Sequence, residues 1–173
     1  GCKVTRLERA PAIMGKDDPD LVDVVRRQLV AEGIDVRENP RVTAVSGTAG
    51  NIQIDVSVPG RAETFSPSHL LVATGRKPAI ERLNLDAASI VHTPQAITVG
   101  ANMRTSQRHI FAIGDVVGGP QFTHMAGHHA SVVVREMLFR LPTKANTQTV
   151  PWVTYTDPEL AQIGMTETAA REA

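Results

Sequence analysis

Two apolar runs that end in glycine carry the polar residues best placed for ligand chemistry. Residues 69–74 (H-L-L-V-A-T) run into Gly75-Arg76, and residues 110–113 (I-F-A-I) run into Gly114-Asp115. A continuous apolar run fits a strand buried on both faces, as in a parallel sheet. In open parallel sheets ligands bind outside the carboxyl ends of the strands. Glycine at that end lets a ligand approach the backbone with no β-carbon in the way. The candidates are therefore Ala73, Thr74, Gly75 and Arg76 in the first run, and Gly114 and Asp115 in the second. A carboxylate at Asp115 can accept hydrogen bonds from sugar or sugar-alcohol hydroxyls. Either run alone reads as easily as an ordinary strand-to-turn junction. Both in one chain point to a cofactor protein.

A third signal is Glu8, at the end of the opening β-like run. In dinucleotide folds an acidic residue about 20 positions beyond the first glycine of the fingerprint binds the adenosine ribose. Glu8 stands where that residue belongs, although the fingerprint itself is not in the chain, and a surface glutamate at a strand end is common. Residues 121–129 (Q-F-T-H-M-A-G-H-H) open a long helical stretch whose free N–H groups suit an electron-rich ligand edge. His124 and His128 are four apart and share a helix face, but no other ligand cluster supports a metal site there. Trp152 and Tyr155 read as core or interface aromatics rather than as a base-stacking platform. Cys2, the single cysteine, excludes a disulfide framework, a zinc cluster built on cysteine, and an intrachain redox pair.

The elements that must position these residues follow from pattern. Residues 3–8 read as a strand, and Asp17-Asp18-Pro19-Asp20 as a helix start with capping carboxylates and proline in the first turn. Leu21, Val24, Val25 and Leu29 recur at helical spacing, leaving Arg26, Arg27 and Glu32 to solvent, and Gly33 closes the helix. Short β-like runs at 35–37, 41–46, 52–58 and 62–65, with turns at 47–51 and 59–61, predict a small antiparallel meander attached to a βα unit. Residues 122–140 are helix-compatible, with Ala126, Ala130, Val133, Val134, Met137 and Leu138 along one side and Leu141-Pro142 as the stop. Residues 144–149 form a polar linker, the best candidate domain boundary. Residues 150–155 restart as strand, and Thr166 begins a further helix. The fold class expected is α/β.

The bulk numbers exclude other roles. With 173 residues, 42% hydrophobic and 21% charged, the chain holds one ordinary domain or parts of two. Lys+Arg and Asp+Glu both number 18, so there is no basic footprint for nucleic acid or an anionic membrane. No apolar run has the length to span a bilayer and no basic-then-apolar leader opens the chain, so a cytoplasmic protein is expected. The chain starts Gly1-Cys2-Lys3 without an initiator Met, so its true amino terminus is expected to be missing from this sequence.

Five segments in this order resemble the pyridine nucleotide-disulfide oxidoreductases, a family that includes dihydrolipoamide dehydrogenase, mercuric reductase and glutathione reductase. They are V-T-R-L-E, A-T-G-R-K-P, T-S-Q-R-H-I-F-A-I-G-D-V, G-P-Q-F-T-H and V-T-Y-T-D-P-E-L-A-Q-I-G-M-T-E. The mercuric reductase-like and dihydrolipoamide dehydrogenase-like branch looks nearest. The resemblance implies partial FAD- and NAD(P)-binding Rossmann-like domains plus the start of an α+β dimerisation domain. Residues 1–77 would be the latter part of the NAD domain, 78–149 the returning half of the FAD domain, and 150–173 the start of the dimerisation domain. By position, Glu8 would hold the NAD ribose and Val42 would line the adenine side. Residues 73–76 would lie along the nicotinamide half, and Asp115 would bind the FAD ribityl chain. Gln121, Phe122 and Thr123 would pass under the flavin, with the helix start near its pyrimidine edge.

The resemblance also implies parts that these residues lack: two glycine fingerprints, a reactive cysteine pair and a late His-Glu pair. The chain is thus expected to be a truncated and, by itself, inactive piece of a homodimeric enzyme. The whole enzyme would pass hydride from NADH, less readily NADPH, to FAD and on to a disulfide or metal-ion acceptor. The rival from another class is a non-catalytic module that only binds cofactor or forms dimers. Upstream sequence with a C-x4-C motif and the two fingerprints would decide for the enzyme. A flavoprotein oxidase or ferredoxin reductase is disfavoured by the T-D-P-E-L segment.

Overall fold

The computed structural model describes residues 1–146 and 149–173, so Thr147 and Gln148 in the expected linker lie outside the described residues. The chain forms two compact units: Gly1–Ala73 with Pro151–Ala173, and Thr74–Val150.

The first unit begins with a β-α-β element. Strand β1 (Thr5–Glu8) pairs in parallel with β2 (Asp35–Glu38), in a register that sets Glu8 beside Glu38. Parallel neighbours need a crossover, and helix α1 (Pro19–Ala31) supplies it. Pro19 enters the first turn, where its missing N–H costs nothing. Gly33 follows the helix at φ +86°, in the left-handed conformation typical of a helix stop. The apolar face of α1 differs in phase from the one expected. Val22 and Val25 are buried and Leu29 packs beside them, whereas Leu21 and Val24 are largely exposed. Arg26 keeps a half-exposed, solvent-facing side chain and also reaches Glu38 on β2.

The meander follows as strands β3 (Arg41–Thr48), β4 (Asn51–Val58) and β5 (Arg61–Phe65), antiparallel and in sequence order. The expected turns are shorter than 47–51 and 59–61, since the ladder closes at Thr48–Asn51 and Val58–Arg61. Pro59-Gly60, with Gly60 at φ +84°, is the pairing a type II turn uses. Alternation on β4 buries Ile54 and Val56 on one face.

The carboxyl-terminal segment returns to this unit through a hairpin and a short helix. Strands β6 (Pro151–Thr154) and β7 (Leu160–Ile163) pair antiparallel, and helix α2 (Glu167–Glu172) starts at Thr166, whose hydroxyl accepts the Ala169 N–H. Leu160 joins Ile13, Val22 and Val25 in the core. Two aspartates before α1 tie the segment down. Asp17 accepts the indole N–H of Trp152 at 2.7 Å, and Asp18 accepts the Glu167 backbone N–H through both carboxylate oxygens, at 3.0 and 3.1 Å. Asp18 was expected to cap its own helix, and it caps this one instead. The Asp157–Pro158 peptide bond is cis.

The second unit is built around Ile80, Leu85, Ile90, Ile97 and Ala112. Its long helix α3 (Thr123–Phe139) matches the expected 122–140 closely in extent but not in face. Met125, His129 and Val132 are the buried positions, while Val134, Met137 and Leu138 are exposed. Arg104 and Asn102 both reach the Glu136 carboxylate on this helix, at 2.7 and 3.1 Å, and the Arg104 guanidinium also lies over the Phe111 ring.

The two glycine-ended runs are not strands here. Residues 69–74 are without strand pairing, with Leu71 88% and Val72 68% exposed. Residues 110–113 make one isolated bridge, Arg104 to Phe111, with Ala112 buried. A strand buried on both faces requires a neighbour on each side. Among the described residues no strand flanks either run.

Candidate functional site

In the first unit the site candidate is Glu8, at the carboxyl end of β1 as expected. Its side chain is 27% exposed. One carboxylate oxygen accepts the Ala10 backbone N–H at 3.1 Å, and the other meets the Arg6 guanidinium at 3.2 Å. The Ala10 bond is the main reason the carboxyl is held below its ordinary range; burial opposes it, and Arg6 and Arg9 assist. Of the two arginines that flank Glu8, it is Arg6, two residues back on the same strand face, that makes the contact. Glu38 lies beside Glu8 but is committed elsewhere: it accepts the Ile13 N–H at 3.1 Å and pairs with Arg26. That fixes the loop after β1 against α1 and leaves Glu8 as the carboxylate at the strand end. Val42 sits at the start of β3, opposite Val56 and 46% exposed.

The candidates of the second unit converge on one turn and one helix start. Gly114 and Asp115 open a short 3-10 turn, Gly114–Val117, where the expected strand would end. Gly114 stands at φ +73°, and a β-carbon on it would come within 3.3 Å of the Ala126 β-carbon on α3. Only glycine lets the turn lie this close to the helix. Its N–H donates to His129 Nδ1 at 3.2 Å. The Asp115 carboxylate is half exposed and stands 3.9 Å from the Arg76 guanidinium.

Helix α3 starts at Thr123 with Phe122 as its cap residue, and no side chain caps it. The Met125 N–H donates to the Phe122 carbonyl at 3.0 Å, so the Thr123 and His124 N–H groups and the positive dipole end face an incoming electron-rich group. Phe122 stacks its ring on His124 at 5.2 Å. Beside this start lies a groove of about 410 Å³ lined by Arg76, Lys77, Gln95, Gly118, Gly119 and Gln121 among others. Gly118 and Gly119 bring backbone with no side chain to its wall, both at positive φ.

The structure thus gathers Arg76, Asp115 and Gln121 around one turn and groove, with Phe122 and Thr123 on the adjoining helix start. Thr74 and Gly75 are exposed residues leading into Arg76, and Ala73 is exposed at the end of the first unit. The donor set fits a group with hydroxyls for Asp115 and an electron-rich edge for the helix start. His128 Nε2 accepts the Asn146 N–H, and among the described residues no group of three or more His, Cys, Asp or Glu side chains could hold a metal ion. Nor is any described helix long and apolar enough to cross a membrane.

The sequence matches the pyridine nucleotide-disulphide oxidoreductase family over residues 1–130. The chain belongs to this family. Among curated proteins it is 31% identical over 99% of its length to a mercuric reductase of Bacillus cereus, of which it covers 27%. It is 34% identical, again over 99% of its length, to a dihydrolipoyl dehydrogenase of Bacillus subtilis (strain 168), of which it covers 37%. Among solved structures, the HOCl-induced flavoprotein disulfide reductase RclA from Escherichia coli superposes on the whole chain with a TM-score of 0.89 at 31% identity. The chain covers 39% of that structure. It therefore spans about a third of the length of the relatives it matches, and its partial Rossmann-like α/β architecture is one that this family carries.

One buried contact escaped sequence reasoning. His129 was read only as the last residue of the run 121–129 that opens the helical stretch, and nothing in the pattern marked it as buried.

Proposed function

We propose that this chain is part of an FAD-dependent pyridine nucleotide-disulfide oxidoreductase of the dihydrolipoyl dehydrogenase and mercuric reductase kind. The observation that carries the reading is the Gly114–Asp115 turn, held against α3 next to that helix's uncapped start. In this reading Asp115 accepts hydrogen bonds from the ribityl hydroxyls, and Arg76 lies ready to neutralise it or to meet a neighbouring phosphate. Gln121, Phe122 and Thr123 lie under the ring system. The first-turn N–H groups of α3 stabilise negative charge at the ring edge, as a helix dipole does for any anion. The flavin supplies the electron relay between nicotinamide and disulfide, and the protein supplies orientation and electrostatics.

Glu8 reads the adenosine ribose of the nicotinamide cofactor, and its carboxylate favours NADH over NADPH. Residues 73–76 border the nicotinamide half, and Val42 the adenine. Residues 1–77, 78–149 and 150–173 then belong to NAD, FAD and dimerisation domains. A homodimer in the cytoplasm is the reading for the whole protein. Exposed Tyr155, Ile163 and Met165 in the carboxyl-terminal segment support the dimer. The final acceptor is a small-molecule or protein disulfide, or a metal ion. Turnover requires residues outside this sequence, because one thiol cannot form the reactive pair.

The test is to purify the complete gene product and this chain separately, add FAD, and assay NADH-dependent reduction of lipoamide, glutathione disulfide and Hg(II). Bound FAD with turnover in the complete protein, and none in the chain alone, is expected. A complete protein that binds no flavin would refute the reading, and turnover by the chain alone would refute the need for further residues.

A further inference from the structure

We propose that His129 is a positioning residue for the Gly114–Asp115 turn, its neutral imidazole accepting the Gly114 N–H and so fixing where the Asp115 carboxylate stands. A backbone amide can only donate, so Nδ1, 3.2 Å away, carries no proton and the ring proton sits on Nε2. The side chain is 5% exposed in the middle of α3. Gly114 meets the same helix at Ala126, one turn earlier. The turn is thus docked at two points, one steric and one polar. The polar one is the only bond the Gly114 N–H makes among those of the described residues. The consequence for Asp115 rests on the flavin reading above; the docking itself does not.

This acceptor exists in one protonation state only. Once Nδ1 is protonated it becomes a donor facing a donor, and the bond is lost. The charged and titratable groups on the elements packed around it are His124, His128, Arg135 and Glu136 on its own helix, Asp115 in the turn with its partner Arg76, and Arg104 at Glu136. Burial is the main influence on His129, and the neighbouring His128 acts in the same direction; both hold its pKa below the ordinary value of 6.5. The sign follows. The anchor is intact above the ordinary histidine range and is lost as pH falls through the lower, folded value.

The test uses the complete protein as wild type, His129→Asn and His129→Leu. Asparagine Oδ1 replaces Nδ1 as an acceptor that does not titrate, and leucine removes the acceptor. FAD dissociation constants are measured by equilibrium dialysis from about pH 7.5 to about pH 5, and Gly114 amide exchange is followed by NMR. At neutral pH, His129→Asn should match wild type, and His129→Leu should bind FAD about tenfold more weakly, because a buried N–H is left unpaired. On acidification wild type should weaken while His129→Asn changes less; effects from His124, His128 and Asp115 are common to both. Identical pH profiles for wild type and His129→Asn would overturn the proposal, as would an NMR assignment of the neutral-pH proton to Nδ1. If no variant binds FAD, the flavin reading fails, and Gly114 exchange decides alone. Slow exchange in wild type and asparagine but fast exchange in leucine supports the anchor, and equal rates in all three refute it. Should the leucine variant fail to fold, the wild-type and asparagine profiles still decide.

Discussion

Replacing Glu8 by alanine should shift cofactor preference towards NADPH, by an amount that the surrounding charges limit. A carboxylate facing a 2′-phosphate at about 5 Å would repel it by roughly 3 kcal/mol at an effective dielectric near 20. Two features reduce that figure. The Arg6 guanidinium, 3.2 Å from the carboxylate, already offsets part of the charge, and the Glu8 side chain is 27% exposed, so solvent screens the rest. A net change of about 1.4 kcal/mol, a tenfold shift in the ratio of kcat/KM for the two cofactors, is the expected scale. Glu8→Ala also frees Arg6 to meet the phosphate, which adds to the shift. Arg6→Ala should move the ratio the other way, and the double variant should depart from the sum of the two shifts, since the side chains are in contact. The assay is steady-state reduction of a disulfide acceptor with NADH and NADPH, alongside thermal melts, because Glu8 also accepts the Ala10 N–H. A wild type that favours NADPH, or a Glu8→Ala ratio unchanged within error, would refute the assignment of Glu8 as the ribose reader.

Other expectations follow from the same geometry. Asp17→Ala removes the 2.7 Å acceptor of the Trp152 indole and should cost about 1.5–3 kcal/mol of stability, read by denaturant melts and a shift in tryptophan emission; an unmoved emission spectrum would show that Trp152 is not held there. Light scattering on the complete protein at micromolar concentration should give a homodimer, and a monomer would contradict the interface reading of the carboxyl-terminal segment.

Local chemistry made the first unit readable. Asp17-Asp18-Pro19 fixes where α1 starts, Gly33 where it stops, and Pro59-Gly60 where β4 turns into β5, each through the conformations those residues prefer. What is not local was not readable. Whether residues 69–74 become a strand depends on neighbours on both sides, which the run itself cannot specify. The phase of α1 and α3 was missed for a related reason. Both helices carry apolar residues beyond one stripe, so Leu21 and Val24 compete with Val22, and Val134 and Met137 with Val132, until the packing partner chooses. Asp115 and Gln121 were singled out because glycine and a helix start mark their positions. Asp18 binding Glu167 and His129 holding Gly114 are tertiary contacts that no spacing announces.

The central claim is that the Gly114–Asp115 turn is a flavin site, and the most direct measurement is the FAD dissociation constant of the complete protein with Asp115 intact and replaced by alanine. Loss of a charged acceptor for ribityl hydroxyls corresponds to about 1.5–3 kcal/mol, so a weakening of roughly tenfold to a hundredfold is predicted, with the melting curve of the flavin-free form unchanged. The second readout separates binding from folding, because the half-exposed Asp115–Arg76 pair contributes little to stability. Equal FAD affinity for the two proteins would contradict the claim.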